Sequence, residues 1–522
     1  MKGRVVLIGA GPGDPLLLTL RGKQYIEQAD CIVYDRLASN EILAYAKKEC
    51  ELIYVGKENH HHTMKQEKIN QLLAIQANEK KLVVRLKGGD PYVFGRGGEE
   101  ALFLKEKGIQ VEIIPGISSV IAALEDGGIP ITHRGVAKGF QVVTAHSRKD
   151  KPADMDYKSM LDPTITYLFL MGLSHVDEIA NGLMKAGREE ETPVAVISNG
   201  TTAKQKKCVG NLRNISRLVS AAGLQSPAII VVGQVVTLSE QLNFFESRPL
   251  FGKRYIVPFI ERFCFSYHQG IIPAKKQEHF DSELEMKLRE RGADICSVKV
   301  GAIVPVLIPE EELAEALQSH WILFTSQNGV NAFLWNLKER GLDLRGIAHA
   351  KLAVVGTRTA EALAQVALHA DLIPKKQNGL ELCHCLIDEI HKGHVPAKDV
   401  RVTLFAAQHS NGEIDKCLEQ HFHYKKAVCY INRFEYGEAA GYNPIDWEAY
   451  DGIFFTSGSS VTRFMNLSKG ALPEPIYSIG PKCSEAIRQA TSKPYREAEV
   501  SNYEGLLHLL EDNMHTRKDN YE

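Results

Sequence analysis

A glycine-rich turn follows directly on an apolar run near the start of this chain. The run Val5-Val6-Leu7-Ile8 leads into Gly9-Ala10-Gly11-Pro12-Gly13-Asp14-Pro15, which is typical of a buried strand that ends in a tight loop beside a ligand. Pro12 has no N–H group and no Walker lysine follows, so the loop does not suit a nucleotide phosphate. We interpret it as either a structural turn or a contact for a small ligand without phosphate.

Short apolar segments alternate with amphipathic segments through the first half of the 522 residues. The clearest apolar segments are 31–34, 82–86, 111–114, 140–144, 167–170, 194–197 and 228–232. This alternation predicts the α/β fold class. We predict a first domain over 1–247, built from two α/β lobes at about 1–133 and 134–247, with a ligand-binding cleft between them.

The second half contains an internal repeat. The segment Ile322–Val330 resembles Ile453–Val461, and each copy predicts a strand that ends in Thr-Ser at the start of a helix. The pairs Thr325-Ser326 and Thr456-Ser457 therefore place hydroxyl groups beside free N–H groups. Such a pair suits plain helix capping or the binding of a carboxylate, and the sequence alone leaves both open.

The repeat predicts a second domain over 253–512, made of a pair of α/β lobes with the chain crossing between them. The remaining residues, 513–522, are polar and form a tail. The main boundary falls at 247–253, where the pattern of strands pauses before Tyr255-Ile256-Val257.

Composition argues against several classes of partner. The net charge of −2 gives no general attraction for nucleic acid, and no apolar run is long enough to cross a membrane. The ten cysteines are scattered without a Cys-x-x-Cys pair, which favours a reducing cytoplasm and argues against a zinc ribbon or a disulfide scaffold. We interpret Cys383-His384-Cys385 as structural and His60-His61-His62 as a polar loop, and we expect no metal.

A series of short motifs runs through residues 2–245. They are Gly9–Asp14, Val33–Leu37, Val55–Lys57, Val84–Pro91, Phe94–Gly97, Pro115–Ser119, Gly128–Arg134, Met171-Gly172, Asn199–Thr201 and Pro227-Ala228. In this order they resemble the uroporphyrinogen-III C-methyltransferases, which are tetrapyrrole methylases that use S-adenosylmethionine. The block from Lys87 to Pro91 is the most specific of them.

The resemblance implies that S-adenosylmethionine lies in the cleft and is held mostly by backbone groups. The implied contacts are Pro12, Gly88, Gly89, Asp90, Val93, Ser118, Ser119, Met171, Gly200 and Ala228. It also implies Asp35 as proton acceptor and Lys57 as proton donor. Without the resemblance, Asp90 is equally well a cap before Pro91, and Asp35 and Lys57 are surface loop residues.

The implied substrate is uroporphyrinogen III, which is methylated on two rings to precorrin-2 for sirohaem or cobalamin synthesis. Because the tetrapyrrole is rich in carboxylates, it needs cationic groups along the cleft rim. Arg85 is our first candidate, with His62 and Arg134 beside it. The family resemblance further implies a homodimer formed through the first half. A methylase for a later corrin intermediate is a less favoured interpretation.

Residues 250–512 resemble the uroporphyrinogen-III synthases, since both Thr-Ser pairs, Gly356, Gly480 and Val428-Cys429-Tyr430 match that pattern. This resemblance implies cyclisation of hydroxymethylbilane to uroporphyrinogen III. Tyr430 would assist departure of the hydroxyl group, and the substrate carboxylates would be bound by Thr325, Ser326, Thr456 and Ser457.

The second half departs from the synthase pattern in three places. Val257-Pro258-Phe259 and Ala406–His409 replace segments that usually carry arginine, and Cys483 replaces a usual threonine. The sequence therefore leaves two functions open for this half. It is either a synthase or a non-catalytic tetrapyrrole-binding module that serves an active methylase.

Overall fold

The computed structural model describes residues 2–35, 40–43, 45–47, 49–56, 64–145, 155–266, 270–273, 283–392, 396–409, 412–434 and 446–518. The chain divides into an N-terminal unit, Met1–Arg254 with Leu288–Asp294, and a C-terminal unit, Tyr255–Lys287 with Ile295–Glu522. The two units are described separately below. The domain limits of 1–247 and 253–512 stay a prediction.

The N-terminal unit begins with a five-stranded parallel sheet in the order β3-β2-β4-β1-β5. The strands are β1 (Arg4–Gly9), β2 (Cys31–Tyr34), β3 (Glu51–Tyr54), β4 (Leu82–Lys87) and β5 (Gln110–Ile114). The helices are α1 (Leu20–Gln28), α2 (Asn40–Leu43), α3 (Gln66–Glu79), α4 (Gly97–Glu106) and α5 (Ser119–Asp126). Alternate residues of β1 enter opposite cores, with Val6 and Ile8 in one and Val5 and Leu7 in the other. Burial on both faces explains why this strand is apolar throughout.

A second five-stranded sheet of mixed direction follows, in the order β6-β7-β10-β8-β9. Its strands are β6 (Gly139–Thr144), β7 (Ile165–Leu170), β8 (Pro193–Ser198), β9 (Lys206–Asn211) and β10 (Ala228–Val232), with helices α6 (Val176–Ala186) and α7 (Ile215–Ala222). The α/β fold class that the alternating pattern predicts is confirmed.

The C-terminal unit contains a nine-stranded sheet and a separate two-stranded hairpin. From residue 254 onward the strands are β11 (Arg254–Glu261), β12 (Phe263–Ser266), β13 (Gly270–Pro273), β14 (Asp294–Pro305), β15 (Trp321–Phe324), β16 (Lys351–Val354), β17 (Arg401–Ala407), β18 (His423–Arg433), β19 (Ile453–Phe455), β20 (Ile476–Ser478) and β21 (Tyr495–Glu497). The hairpin is β12-β13, and the large sheet has the order β16-β15-β17-β18-β14-β11-β19-β20-β21.

Helices cover both faces of the large sheet. They are α8 (Glu283–Glu290), α9 (Glu310–Leu317), α10 (Gln327–Glu339), α11 (Thr357–Ala364), α12 (Gly379–Lys392), α13 (Glu413–His421), α14 (Gly458–Ser468), α15 (Pro481–Ala490) and α16 (Tyr503–Lys518). In β15, Ile322 and Phe324 enter one core while Trp321 and Leu323 enter another, as expected of a strand buried on both faces.

The two copies of the repeat lie in the two halves of this single sheet. One half contains β15 and α10, the other contains β19 and α14, and the long antiparallel pair β14–β18 lies between them. Ser326 Oγ accepts the N–H of Gly329 at 3.2 Å, and Ser457 Oγ accepts the N–H of Ser460 at 3.2 Å. The predicted strand, Thr-Ser pair and capped helix are confirmed in both copies.

One disulfide bond joins two helices of the C-terminal unit. Cys383 on α12 is bonded to Cys417 on α13, while the neighbouring Cys385 is a free thiol. The scattered spacing gave no sign of this pairing, because its partners are 34 residues apart. In the part of the chain that the structure describes, no helix is long and apolar enough to cross a membrane.

The buried side-chain amide of Asn336 binds two backbone groups in the segment that follows β14, and this contact gives a stability prediction. Asn336 on α10 is fully buried, donates to Val306 O at 3.0 Å and accepts the N–H of Ile308 at 2.8 Å. Asn336→Leu leaves the buried N–H of Ile308 and the partly buried carbonyl of Val306 without this partner, so we expect it to lower the free energy of unfolding by about 2–4 kcal/mol. Urea unfolding followed by tryptophan fluorescence measures this loss in the C-terminal unit, because Trp321, Trp335 and Trp447 are the only tryptophans.

Glu339→Leu is the matched control, since Glu339 is exposed on the same helix. We expect it to change stability by no more than about 0.5 kcal/mol. Equal losses in the two variants would contradict the role given to the Asn336 hydrogen bonds.

Candidate active site

Three loops at the carboxyl ends of β1, β4 and β5 touch one another through glycine backbone. The N–H of Gly11 donates to Gly89 O at 3.3 Å, and the N–H of Gly89 donates to Gly11 O at 2.7 Å. A Cβ atom on Gly9 would lie 2.5 Å from both Gly116 Cα and Gly89 O, which is closer than a side chain can approach. Glycine at position 9 is therefore required by this packing of one loop on another. The loop is thus more than a local turn.

The Asp90 carboxylate ties two of these loops together. Its Oδ1 accepts the N–H of Tyr92 at 2.8 Å, and its Oδ2 accepts the N–H of Gly116 at 3.0 Å. The sequence allowed a helix N-cap or a cofactor contact at this position. No helix begins after Asp90, since α4 begins at Gly97, so the helix cap is wrong and the two bonds instead hold the loops. The cofactor contact stays a prediction, and each carboxylate oxygen keeps a further lone pair for it.

Loops from the second sheet meet the same region. The N–H of Asp14 donates to Thr201 Oγ1 at 3.2 Å, and a Cβ atom on Gly200 would press against Ala123 of α5. A Cβ atom on Gly89 would contact Ser118 Cα at 3.9 Å, just before α5 begins. These contacts bring together the loops that carry seven of the predicted cofactor residues: Pro12, Gly88, Gly89, Asp90, Ser118, Ser119 and Gly200.

Met171 and Ala228 lie at one end of the strands of the second sheet, Met171 just after β7 and Ala228 at the start of β10. Leu170 is paired with Ile229, and Ala228 is paired with Ser198, so the ends of β7 and β8 meet the start of β10 there. Met171 is 51 % exposed, and Val93 in the loop after Asp90 is 38 % exposed. Both side chains leave apolar surface open to solvent, and their contact with a cofactor stays a prediction.

Left-handed backbone is concentrated in these loops. Phe94, Arg96, Met171, Asn199 and Thr201 have φ values of 53°, 59°, 55°, 50° and 68°. Only two other non-glycine residues in the described part of the chain have positive φ. Such conformations are unfavourable for residues with a Cβ atom and collect at ligand sites. The motifs that contain these residues gave no sign of the backbone conformation.

Two predicted site residues form a direct ion pair. Arg85 Nη2 donates to Asp35 Oδ2 at 3.1 Å, and Arg85 Nη1 donates to Val33 O at 3.3 Å and to Leu86 O at 2.9 Å. Arg85 is 3 % exposed, whereas the Asp35 side chain is 26 % exposed. We predicted that Arg85 binds a substrate carboxylate at the cleft rim. In this structure the partners of its guanidinium lie inside the protein.

The remaining predicted residues of the N-terminal unit are not all described. Lys57 and His62 lie outside the described residues, as does the whole His60-His61-His62 segment. Arg134 is exposed in the turn closed by the His133–Ala137 bridge. Among the described residues there is no group of three or more His, Cys, Asp or Glu side chains that would hold a metal ion.

The C-terminal unit brings Ser326 and Tyr430 into contact. Tyr430 on β18 is 9 % exposed, and its Oη lies 3.0 Å from Ser326 Oγ, the cap of α10. Burial raises the pKa of the Tyr430 phenol, while the Ser326 hydrogen bond acts in the opposite direction. The phenol is therefore protonated at neutral pH and has a proton to donate.

The second copy of the repeat lacks a tyrosine contact of this kind among the described residues. Ser457 Oγ lies 3.3 Å from Ser459 Oγ, and Thr456 and Ser457 are partly exposed, as are Thr325 and Ser326. Both copies thus place hydroxyl groups at a helix N-terminus, where a carboxylate is stabilised.

Two family models match the chain. Tetrapyrrole (Corrin/Porphyrin) Methylases matches residues 4–216, and Uroporphyrinogen-III synthase HemD matches residues 282–508. The porphyrin biosynthesis protein HemD of Ruminiclostridium josui is 35% identical over 519 residues, which make up 97% of this chain and 97% of that protein. This chain belongs to the HemD family of porphyrin biosynthesis proteins. The resemblance inferred from the motifs is confirmed.

The N-terminal half also has relatives of its own length. The uroporphyrinogen-III C-methyltransferase of Methanocaldococcus jannaschii is 50% identical over 239 residues, which make up 46% of this chain and 98% of that protein. A crystal structure of uroporphyrin-III C-methyltransferase from Thermus thermophilus, complexed with S-adenyl homocysteine, is 39% identical. The match covers 45% of this chain and all of that chain, with a TM-score of 0.39.

The glycine contact predicts a sharp difference between two alanine variants. In Gly116→Ala the added methyl group collides with the Gly89 carbonyl, so the loops must separate. We expect a loss of about 1–3 kcal/mol in stability. Hydrogen–deuterium exchange measured by mass spectrometry should show faster exchange in residues 9–13 and 88–90, because the Gly11–Gly89 hydrogen bonds weaken.

Gly98→Ala is the control. Gly98 lies in the first turn of α4, and a Cβ atom there meets nothing within 4 Å. We expect unchanged exchange in both loops and stability equal to or above that of the wild type, since alanine favours a helix over glycine by about 1 kcal/mol. Normal exchange in Gly116→Ala would show that the loops do not depend on the contact.

Proposed function

We propose that this protein is a bifunctional enzyme of tetrapyrrole biosynthesis. The C-terminal half cyclises hydroxymethylbilane to uroporphyrinogen III, and the N-terminal half methylates that product on two rings to give precorrin-2. The observation that carries the proposal is the meeting of glycine loops from both sheets of the N-terminal unit, beside the Asp35–Arg85 pair. The similarity to the Ruminiclostridium josui protein over almost the whole chain supports it.

We propose that S-adenosylmethionine binds where these loops meet. The residues fit such a ligand, because the space beside Gly89 is open, with Ser118 Cα as the nearest atom to a Cβ there at 3.9 Å, and because Pro12 lacks the N–H group that a phosphate would need. The contacts would be the ten residues given above, from Pro12 to Ala228. When bound, the sulfonium supplies an electrophilic methyl group.

The protein must then align the two reactants and accept one proton. We propose that Asp35 takes the proton that the methylated pyrrole releases, since its carboxylate is partly exposed at the end of β2. The family resemblance makes Lys57 a proton donor, and any proton that it gives to the tetrapyrrole must be matched by a second one released, because each methyl transfer frees one proton overall. Arg134 and His62 would bind carboxylates of the tetrapyrrole at the cleft rim.

In the C-terminal half we propose Tyr430 as the acid for ring closure. As the C–O bond of the hydroxymethyl group breaks, the phenol proton passes to the departing oxygen, which leaves as water. When the new C–C bond forms, the attacking pyrrole carbon loses its proton, so one proton is released for the one that the phenol donated. Thr325, Ser326, Thr456 and Ser457 would bind substrate carboxylates through hydroxyl and N–H groups.

A second function for the C-terminal half is the delivery of a bound tetrapyrrole without catalysis. Cys483 favours this alternative. It is 2 % exposed, and its thiol points to Phe455 O at 3.5 Å, so it offers a substrate no hydroxyl group. The Ser326–Tyr430 contact favours catalysis, and we give it more weight.

We propose a cytoplasmic homodimer formed through the N-terminal half. The support for a reducing compartment is the scattered spacing of the ten cysteines without a Cys-x-x-Cys pair, and the Cys383–Cys417 disulfide is the one observation against it. Gel filtration with light scattering measures the mass of the full chain, and a monomer at micromolar concentration would contradict the dimer.

The test of the whole proposal is a reaction from hydroxymethylbilane. The purified protein receives hydroxymethylbilane and S-adenosylmethionine with no other enzyme, and the tetrapyrroles formed are identified by mass spectrometry and chromatography. We expect precorrin-2 or its oxidised fluorescent form. Methylated or unmethylated rings of the spontaneous type I isomer alone would favour the non-catalytic module.

A separate prediction concerns Tyr430. Tyr430→Phe removes the acid but keeps the ring, so we expect cyclisation to slow by about 100-fold. The wild type should show no loss of cyclisation from this group below about pH 10, because burial keeps the phenol protonated there. The initial rate of uroporphyrinogen III formation measures both effects.

Tyr424→Phe is the matched control on the same strand. Tyr424 Oη is hydrogen-bonded to Asp415 rather than to a Thr-Ser pair. We expect a normal rate of cyclisation in this variant. Normal cyclisation in Tyr430→Phe as well would contradict the role of Tyr430 as the acid.

A further inference from the structure

Two cations are buried side by side on β4. Arg85 and Lys87 are two residues apart on one strand, so their side chains leave the same face. They are 3 % and 5 % exposed. A buried cation without a counter-charge is strongly unfavourable, and two together are worse.

Glu100 of α4 supplies the opposing charge. It is fully buried, and its Oε1 accepts Lys87 Nζ at 3.0 Å and lies 3.5 Å from Arg85 Nε. Gln66 Nε2 donates to the same oxygen at 2.9 Å and to Asn70 Oδ1 at 2.9 Å. One carboxylate oxygen therefore accepts a hydrogen bond from Lys87 and from Gln66 on α3, and it forms an ion pair with Arg85, whose buried Nε makes no hydrogen bond among the described residues.

The far end of the guanidinium reaches Asp35. Arg85 is planar and rigid, with Nε beside Glu100 and Nη2 bonded to Asp35 Oδ2 at 3.1 Å. Its Nη1 is held by the two backbone carbonyls described above. Glu100 therefore sets the position of Arg85 at one end, and Arg85 sets the position of the Asp35 carboxylate at the other.

The arrangement is not the most stable one for a buried cluster. Glu100 Oε2 is buried and, among the residues that the structure describes, accepts no hydrogen bond. Burial lowers the pKa of Lys87, with Arg85 adding to the effect and Glu100 opposing it. Apolar residues of similar size would often be at least as stable in such a place, so a charged cluster here points to a function.

We propose that Glu100 is a positioning residue for methyl transfer, which acts through Arg85 to hold the Asp35 carboxylate at the substrate. The proposal rests on the proposed role of Asp35 as proton acceptor. It also gives Arg85 a different role from the substrate-binding one that the sequence suggested. Glu100 follows the Phe94–Gly97 motif by three residues, and the motifs alone assign it no role.

Charged groups of two elements lie around Asp35. Arg85 and Lys87 face it from β4 and Glu100 lies behind them on α4, while residues 36–39 and 57–63 lie outside the described residues. Glu100→Gln leaves the two cations without their shared carboxylate, and Arg85→Met removes the group that is bonded to Asp35. Both variants change the charge beside the substrate, so we expect the profile of kcat/KM against pH to differ from that of the wild type.

The experiment measures methylation with uroporphyrinogen III supplied directly, so that the C-terminal half is not involved. We expect Glu100→Gln to lower kcat about 10- to 100-fold while KM for S-adenosylmethionine is unchanged, since a misplaced acceptor affects the chemical step. Glu106→Gln is the matched control. Glu106 is exposed on the same helix, and its loss should alter neither kcat nor the pH profile.

Charge imbalance alone also destabilises Glu100→Gln, so a second variant separates folding from positioning. The double variant Lys87→Met/Glu100→Gln removes one charge of each sign and keeps the cluster neutral overall. We expect its melting temperature to return towards that of the wild type while kcat stays low. Recovery of kcat in the double variant, or failure of that variant to fold, would make Glu100 a folding residue and overturn the proposal.

Asp35→Asn distinguishes this proposal from the one it rests on. If Asp35→Asn keeps full methylation, Asp35 is not the proton acceptor and the proposed mechanism fails first. If Asp35→Asn is inactive and Glu100→Gln keeps the wild-type kcat and pH profile, the mechanism stands and the positioning role of Glu100 is wrong.

Discussion

The close contact of backbone at Gly9, Gly89 and Gly116 is the constraint on which the N-terminal unit depends. A Cβ atom on Gly9 or Gly116 would overlap the backbone of the neighbouring loops, so the loops that follow β1, β4 and β5 approach one another this closely only through glycine. The Asp90 carboxylate then locks the β4 and β5 loops through two N–H groups. A site built in this way offers shape and backbone polarity, which suits a ligand that carries its own reactive group.

The C-terminal unit also presents backbone N–H and hydroxyl groups at its candidate site. Its two Thr-Ser pairs place hydroxyl groups at the N-termini of α10 and α14, and the only polar side-chain contact described for Tyr430 is with one of those serines. A substrate rich in carboxylates is bound well by such groups, because backbone N–H groups need no counter-ion and stay fixed. Loss of the family arginines therefore does not by itself remove the means of binding.

Local patterns predicted the local structure. The glycine turn, the capped Thr-Ser helices and the alternating strands depend on neighbours in sequence, and all three are present. Contacts between distant residues were not predictable from one sequence. Arg85 reaches Asp35 across 50 residues, and its burial reverses the rim position that we expected. Cys383 and Cys417, and the left-handed backbone of Met171 and Thr201, likewise depend on packing that no motif encodes.

The most direct test of the account is a crystal structure of the full chain with S-adenosylhomocysteine. We predict that the ligand lies against Gly88-Gly89-Asp90 and reaches Met171 and Gly200 of the second sheet. Asp35 should remain bonded to Arg85, with its second oxygen facing the space beside the ligand sulfur. A ligand bound elsewhere, or one that leaves the Gly89 and Gly200 loops without contact, would contradict the site that we assign.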